Sequence, residues 1–127
     1  MNSEKANRPV FDASAVLALA EVEPGSDRLR DVQSAVVCAV NAAEAVAKLV
    51  SRGVPLSVAQ AAYDALHLET VPFESIMVSL SARFVQKNLS LGDRCFLATA
   101  LSYGPGWTSD RNLGARFATD VPLNFFR

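Results

Sequence analysis

Apolar and polar positions fall along this chain in blocks whose period changes, and the changes mark out a succession of strands and helices. Arg8 to Phe11 is a segment of strand length that runs into Asp12, after which Ala13 to Val22 carries Ala, Val and Leu at most positions, as a core-facing helix does. Glu23-Pro24-Gly25 stops that helix. Ser26 and Asp27 can cap a short helix reaching Arg30 or Val32. The unbroken apolar run Ala35 to Val40 suits a strand covered on both faces, and Asn41 is placed to cap a helix from Ala42 to Ser51, which Gly53 and Pro55 close. A helix from Ser57 to about Leu66, an alternating strand from His67 to Pro72 and a helix from Phe73 or Glu74 to Gln86 follow. The apolar face of the last is Ile76, Met77, Leu80, Phe84 and Val85.

Leu89 to Tyr103, LSLGDRCFLATALSY, opens polar and turns almost wholly apolar, as a helix does when it enters a core from an exposed N-terminus. Gly104-Pro105-Gly106 forces a turn, Trp107 to Ser109 is a short strand, Asp110 to Phe117 allows one or two helical turns, and Val121 to Phe126 is a last strand. Strands alternating with helices of this length predict a three-layer α/β/α domain with a mainly parallel central sheet. Ligands of such sheets bind beyond the carboxyl ends of the strands. That edge receives Asp12, Asp110 and, at the start of its helix, Glu44. If the Leu91 helix also begins there, Asp93 joins them.

Composition narrows the picture. With 127 residues the chain is expected to form a single domain over 1–127, residues 1–7 being a polar tail, with a core large enough to need neither disulfide nor structural metal. Twelve basic and 13 acidic residues leave a net charge of −1, so any contact with a polyanion has to be local. Cys38 and Cys95 lie in apolar runs without a CxxC or histidine partner, which predicts two buried free thiols. The N-terminus lacks the apolar core of a signal peptide. Asn41, Glu44 and Lys48 interrupt the most apolar stretch below the roughly 20 residues of a membrane span. A cytoplasmic protein with no membrane contact is the expectation.

Each acid has an ordinary explanation when taken alone. Asp12 can cap the helix after it, Glu44 can pair with Lys48 four residues on, Ser90 with Asp93 fits a capping box, and Asp110 suits a turn. Together they differ, because carboxylates held close repel one another and raise their own pKa values unless a cation sits among them. An all-oxygen donor set selects a hard ion, Mg²⁺ or Mn²⁺, which lowers the pKa of a bound water and neutralises charge on a phosphodiester. Ser14, Thr108, Ser109 and Asn112 are candidates to support that site. Arg94, Arg111 and Arg116 follow the acids closely and are placed to hold the phosphates of such a substrate. His67 and the serines have no nucleophile or base partner at a usable spacing. Trp107, Phe125 and Phe126 can stack on bases or finish a core. Val16, Leu17 and Leu19, with the Ser57 helix, offer an apolar face for a partner.

VFDASAVLAL, AVNAAEAVAKL, LSLGDRCFLATAL and TSDRNL, in this order and spacing, resemble the PIN-domain ribonucleases, and in particular the VapC-type toxins of type II toxin–antitoxin pairs. The resemblance covers nearly the whole chain. It implies that Asp12, Glu44, Asp93 and Asp110 hold Mg²⁺ or Mn²⁺ and support metal-dependent RNA cleavage by a homodimer that a cognate antitoxin silences. The chain departs from the family where Tyr103-Gly104-Pro105-Gly106-Trp107 replaces a strongly apolar strand, and where Asn112 stands for a further acid. Two other functions are compatible with an acid-lined α/β domain. One is a PIN-like domain that binds RNA or a partner without cutting. The other is a phospho-receiver, which would need an acidic pair after the first strand and a late lysine, neither of which is present.

Overall fold

Strands of only two or three residues suffice here because every one pairs in parallel with a neighbour. The computed structural model describes residues 7–86 and 88–127. It contains β1 (Val10–Phe11), α1 (Ala13–Glu21), α2 (Ser26–Arg30), β2 (Val36–Cys38), α3 (Ala39–Ser51), α4 (Leu56–Asp64), β3 (Glu69–Val71), α5 (Ser75–Ala82), α6 (Leu91–Ser102), β4 (Gly106–Thr108), α7 (Arg111–Phe117) and β5 (Leu123–Phe125). The sheet order is β3-β2-β1-β4-β5 and all four pairings are parallel, with Val10 opposite both Val36 and Gly106. Helices on both faces complete the three-layer α/β/α architecture.

The two-residue period of the strands divides the core. Phe11 and Val37 pack with Ala15, Val16, Leu29, Ala45, Leu49 and Tyr63 on one side of the sheet. Val10 and Val36 pack with Phe84, Phe96, Leu97, Leu113 and Phe117 on the other. β1 and β2 are buried throughout, which is why their sequence is continuously apolar rather than alternating. Gly106 is the one small residue that fits where a Cβ would run into the ring of Phe96, 2.6 Å away. Both cysteines are free and buried, and no helix among the described residues is long and apolar enough to cross a membrane.

Several expectations need correction. Asn41 does not cap its helix: α3 begins two residues earlier with Cys38 as N-cap, and Asn41 is inside it and buried. The helix expected to reach Gln86 ends at Ala82, and a turn at Arg83 and Phe84 breaks its period. Met77, Ser81 and Phe84 therefore face inward, while Ile76 and Val85 are 60% and 67% exposed. Val16 and Leu17 belong to the core and form no partner surface. The open apolar groove lies instead between α3 and α4, a cavity of about 630 Å³ lined by Ala42, Val46, Val50 and Leu56. Asn7, assigned to the tail, donates its N–H to the Tyr103 carbonyl at 2.7 Å. Residues 1–6 of that tail lie outside the described residues.

Candidate active site

Chain direction makes one edge of this sheet special. From β1 the chain moves outward to β2 and β3, then returns to the other side of β1 to lay down β4 and β5. The crevice at such a reversal, beyond the carboxyl ends of the strands, is where parallel α/β sheets bind ligands. Asp12 follows β1 and Thr108-Ser109-Asp110 ends and follows β4, so they straddle it.

Asp12 caps α1. Its Oδ1 accepts the Ala15 N–H at 2.9 Å and the Ser14 hydroxyl at 2.6 Å, and Thr108, fully buried, also bonds its carboxylate. Ser14 Oγ in turn accepts the Ser109 N–H at 3.3 Å, and Thr108 Oγ1 accepts the Asp110 N–H at 3.0 Å. The two central strands are thus tied together at their ends through hydroxyls around one carboxylate. Burial nevertheless pushes the Asp12 pKa up to about 6, against those hydrogen bonds, and the charge of Asp93 adds to the rise. Asp12 and Asp93 are electrostatic neighbours that repel.

Asp93 is held by the capping box foreseen in the sequence: its N–H donates to Ser90 Oγ at 3.1 Å, and its Oδ2 accepts the Ser90 N–H at 3.4 Å. Glu44 reaches the same turn from α3. It turns toward Asn41 rather than Lys48: Asn41 Nδ2 donates to Glu44 Oε1 at 2.9 Å and to the Gly92 carbonyl at 3.0 Å. The Glu44 carboxylate lies against Gly92, so closely that a Cβ there would collide with it. Asn41 Oδ1 is buried without a hydrogen-bond partner among the described residues. Asp110 caps α7, its Oδ1 accepting the N–H groups of Asn112 at 3.0 Å and Leu113 at 3.2 Å. It also lines a separate cavity of about 400 Å³ with Asn88, Asn112 and Arg116.

Asp12, Asp93 and Glu44 thus gather around the first turn of α6, while Asp110 joins them through Thr108 and spends one oxygen on its own helix. Among the described residues, no three Asp, Glu, His or Cys side chains stand close enough together to grip one ion. The desolvated Asp12 carboxylate with Asp93 beside it fits a cation that keeps most of its water, as Mg²⁺ does when bound through one or two carboxylates and completed by substrate phosphate.

The arginines singled out in the sequence lie in different surroundings, Arg116 beside Asp110 in its cavity. Arg111 donates to the main-chain oxygen of Arg127 at 3.1 Å and stacks on Phe125, 4.6 Å from the ring centre. Arg94 is half-buried on α6. Ser14 and Glu44 instead share a cleft of about 330 Å³ with Lys48, Arg52 and Arg127. Arg52 pairs with Glu21 and with Glu23 at 3.6 Å, and Arg127 pairs with Glu23 at 3.2 Å. Lys48 and Arg52 follow Glu44 at four and eight residues, a helical spacing that could have revealed them. No motif marks Arg127.

Gly92→Ala tests the contact between α3 and α6. Alanine is the better helix former by about 1 kcal/mol, and the Glu44 carboxylate is a flexible tip that can move aside, so melting is expected to show equal or greater stability. Displacing Glu44 is expected to lower activity by about tenfold or more. Loss of stability with full activity would remove Glu44 from the site.

A family model described as the PIN domain matches residues 10–111. No curated protein matches the chain.

Proposed function

The chain belongs to the PIN-domain family, a nuclease-type fold acting on nucleic acids, and from that premise we propose that it is a metal-dependent endoribonuclease, the toxin of a toxin–antitoxin pair. The observation that carries the reading is the half-buried Asp12 carboxylate, raised in pKa by desolvation and by the charge of Asp93, at the crevice where the strand order reverses. Asp12 and Asp93, with Glu44 and Asp110 beside them, are the residues that would hold Mg²⁺ or Mn²⁺. When bound, such an ion supplies an acidified water and neutralises charge on a phosphodiester. Ser14 and Thr108 fix Asp12, Ser90 fixes Asp93, and Asn41 fixes Glu44, so the acids are oriented before substrate arrives. Lys48, Arg52 and Arg127 line the cleft where RNA phosphates would approach, offsetting the repulsion of the acids. Arg94 and Arg116 would extend that contact.

The apolar groove between α3 and α4 supports a protein partner, a helix of a cognate antitoxin or a second copy in a homodimer. Family membership leaves no place for a phospho-receiver. A PIN domain that binds RNA without cutting is the second reading, favoured by the absence of a three-acid cluster among the described residues.

Incubating the protein with structured RNAs and with DNA, in Mg²⁺ or Mn²⁺ and with or without chelator, decides between them. RNA cleavage that stops in chelator is expected. Cleavage that persists in chelator would sink the metal mechanism, and binding without cleavage of any substrate would establish the second reading.

A further inference from the structure

The sheet leaves two aromatic residues half-exposed, Trp107 on β4 and Phe125 on β5. β5 is an edge strand and α2, with five residues, covers little of the face beside it. Between them opens a cleft of about 530 Å³, lined by Arg28, Asp31, Val32, Trp107, Asn124 and Phe125. That volume lies within the roughly 300–1,000 Å³ usual for small-ligand sites. Trp107 and Asn124 are register partners on adjacent strands, so the ring and the amide present themselves side by side. The indole N–H of Trp107 is buried with no hydrogen-bond partner among the described residues. Part of the ring packs against the core on the α1 and α3 side, and the remainder faces the cleft.

We propose that this cleft is a subsite for one nucleobase of the nucleic-acid substrate, with guanine as its best match; the inference rests on the nuclease reading above. The Trp107 ring supplies a stacking face. The Asp31 carboxylate is the acceptor that the adjacent N1–H and N2–H donors of guanine need, and the Asn124 amide or Arg28 guanidinium can donate to O6 or N7. Uracil and adenine offer a single ring N–H and a single amino group, respectively, and would leave more of this donor–acceptor set unpaired. The cleft also connects to the chemistry. The Trp107 carbonyl accepts the Asp12 N–H at 3.3 Å, and the next residue, Thr108, bonds the Asp12 carboxylate. A base seated here belongs to a nucleotide near the scissile phosphate, and the subsite would set sequence preference.

Trp107 is the sole tryptophan, so its fluorescence reports this cleft alone. Titration with the four ribonucleoside 5′-monophosphates and with inorganic phosphate, in chelator, is expected to show saturable quenching, tightest for GMP by about tenfold and absent for phosphate. Asp31→Ala is expected to erase the GMP preference while weaker quenching by all four bases persists. Trp107→Phe is expected to keep the melting temperature within a few degrees and to raise KM for RNA more than it lowers kcat. Quenching by phosphate alone, equal response to all four nucleotides, or a GMP preference untouched by Asp31→Ala would each overturn the subsite. The titration requires neither metal nor cleavage. Intact GMP quenching in a protein that cuts nothing would count against the nuclease reading only, and cleavage without quenching against the subsite only.

Discussion

Asp12→Asn is expected to make the metal-free protein more stable and, at the same time, inactive. The Asp12 carboxyl is pushed up to about 6 from its ordinary 3.8, mainly by burial. A folded-state pKa above the unfolded one means that the native state binds more protons between those values. Stability is then complete below about pH 4 and falls as pH rises toward 6. The difference of about 2.2 units corresponds to at most about 3 kcal/mol at neutral pH. Asparagine keeps the Oδ1 acceptor that caps α1 and removes the buried charge. In chelator, thermal melts of the wild type should lose stability from pH 4 to pH 7, those of Asp12→Asn should lose less, and the two curves should converge at the acid end. Equal melting temperatures at pH 7 would show that the carboxylate is better solvated than its burial implies. The same substitution removes the negative charge proposed to hold the metal, and cleavage should fall at least about 10²-fold.

Asp93 separates capping from charge in the other direction. Asp93→Asn leaves an acceptor for the Ser90 N–H, whereas Asp93→Ala removes it. Chemical denaturation should show Asp93→Ala destabilised by about 0.5–1 kcal/mol and Asp93→Asn by less. Both should lose cleavage by at least about 10²-fold, because both lose the negative charge beside Asp12. Retained cleavage in Asp93→Asn with loss in Asp93→Ala would assign Asp93 a purely structural role. Tighter Mg²⁺ binding in either variant would also contradict the site.

Asp12, Asp93 and Asp110 could be read from the sequence because each stands where a helix begins, and such positions are marked by capping chemistry. Ser90 with Asp93, and Asp12 before Ala13-Ser14-Ala15, signal both their local bonds and the edge of the sheet on which they fall. What lay out of reach depends on contacts distant in sequence. Asn41 looks like a cap because asparagine commonly is one, yet α3 starts at Ala39 and the side chain is drawn inward to the Gly92 carbonyl, 51 residues away. Ile76 and Val85 share a helical period with Met77 and Phe84 only if the helix continues, and the turn after Ala82 breaks that relation. Arg127 enters the cleft through Glu23 and Pro24, more than 100 residues earlier, and no local pattern encodes that. The sheet order was similarly hidden. Alternation of elements predicts parallel strands, but only the pairing of β1 with both β2 and β4 reveals where the order reverses.

That pairing also governs when the acids can be brought together during synthesis. Val10 sits opposite Gly106, 96 residues downstream, and the Ser14–Ser109 and Thr108–Asp12 bonds cannot form before β4 inserts beside β1. Contacts of such long sequence separation form late, since the closure entropy must be met before they can repay it. On a translating ribosome the first hundred residues hold Asp12, Glu44 and Asp93 but no closed sheet edge to aim them. The surroundings of Asp12 are therefore completed only once β4 has emerged, and a product ending before Gly106 is expected to lack them.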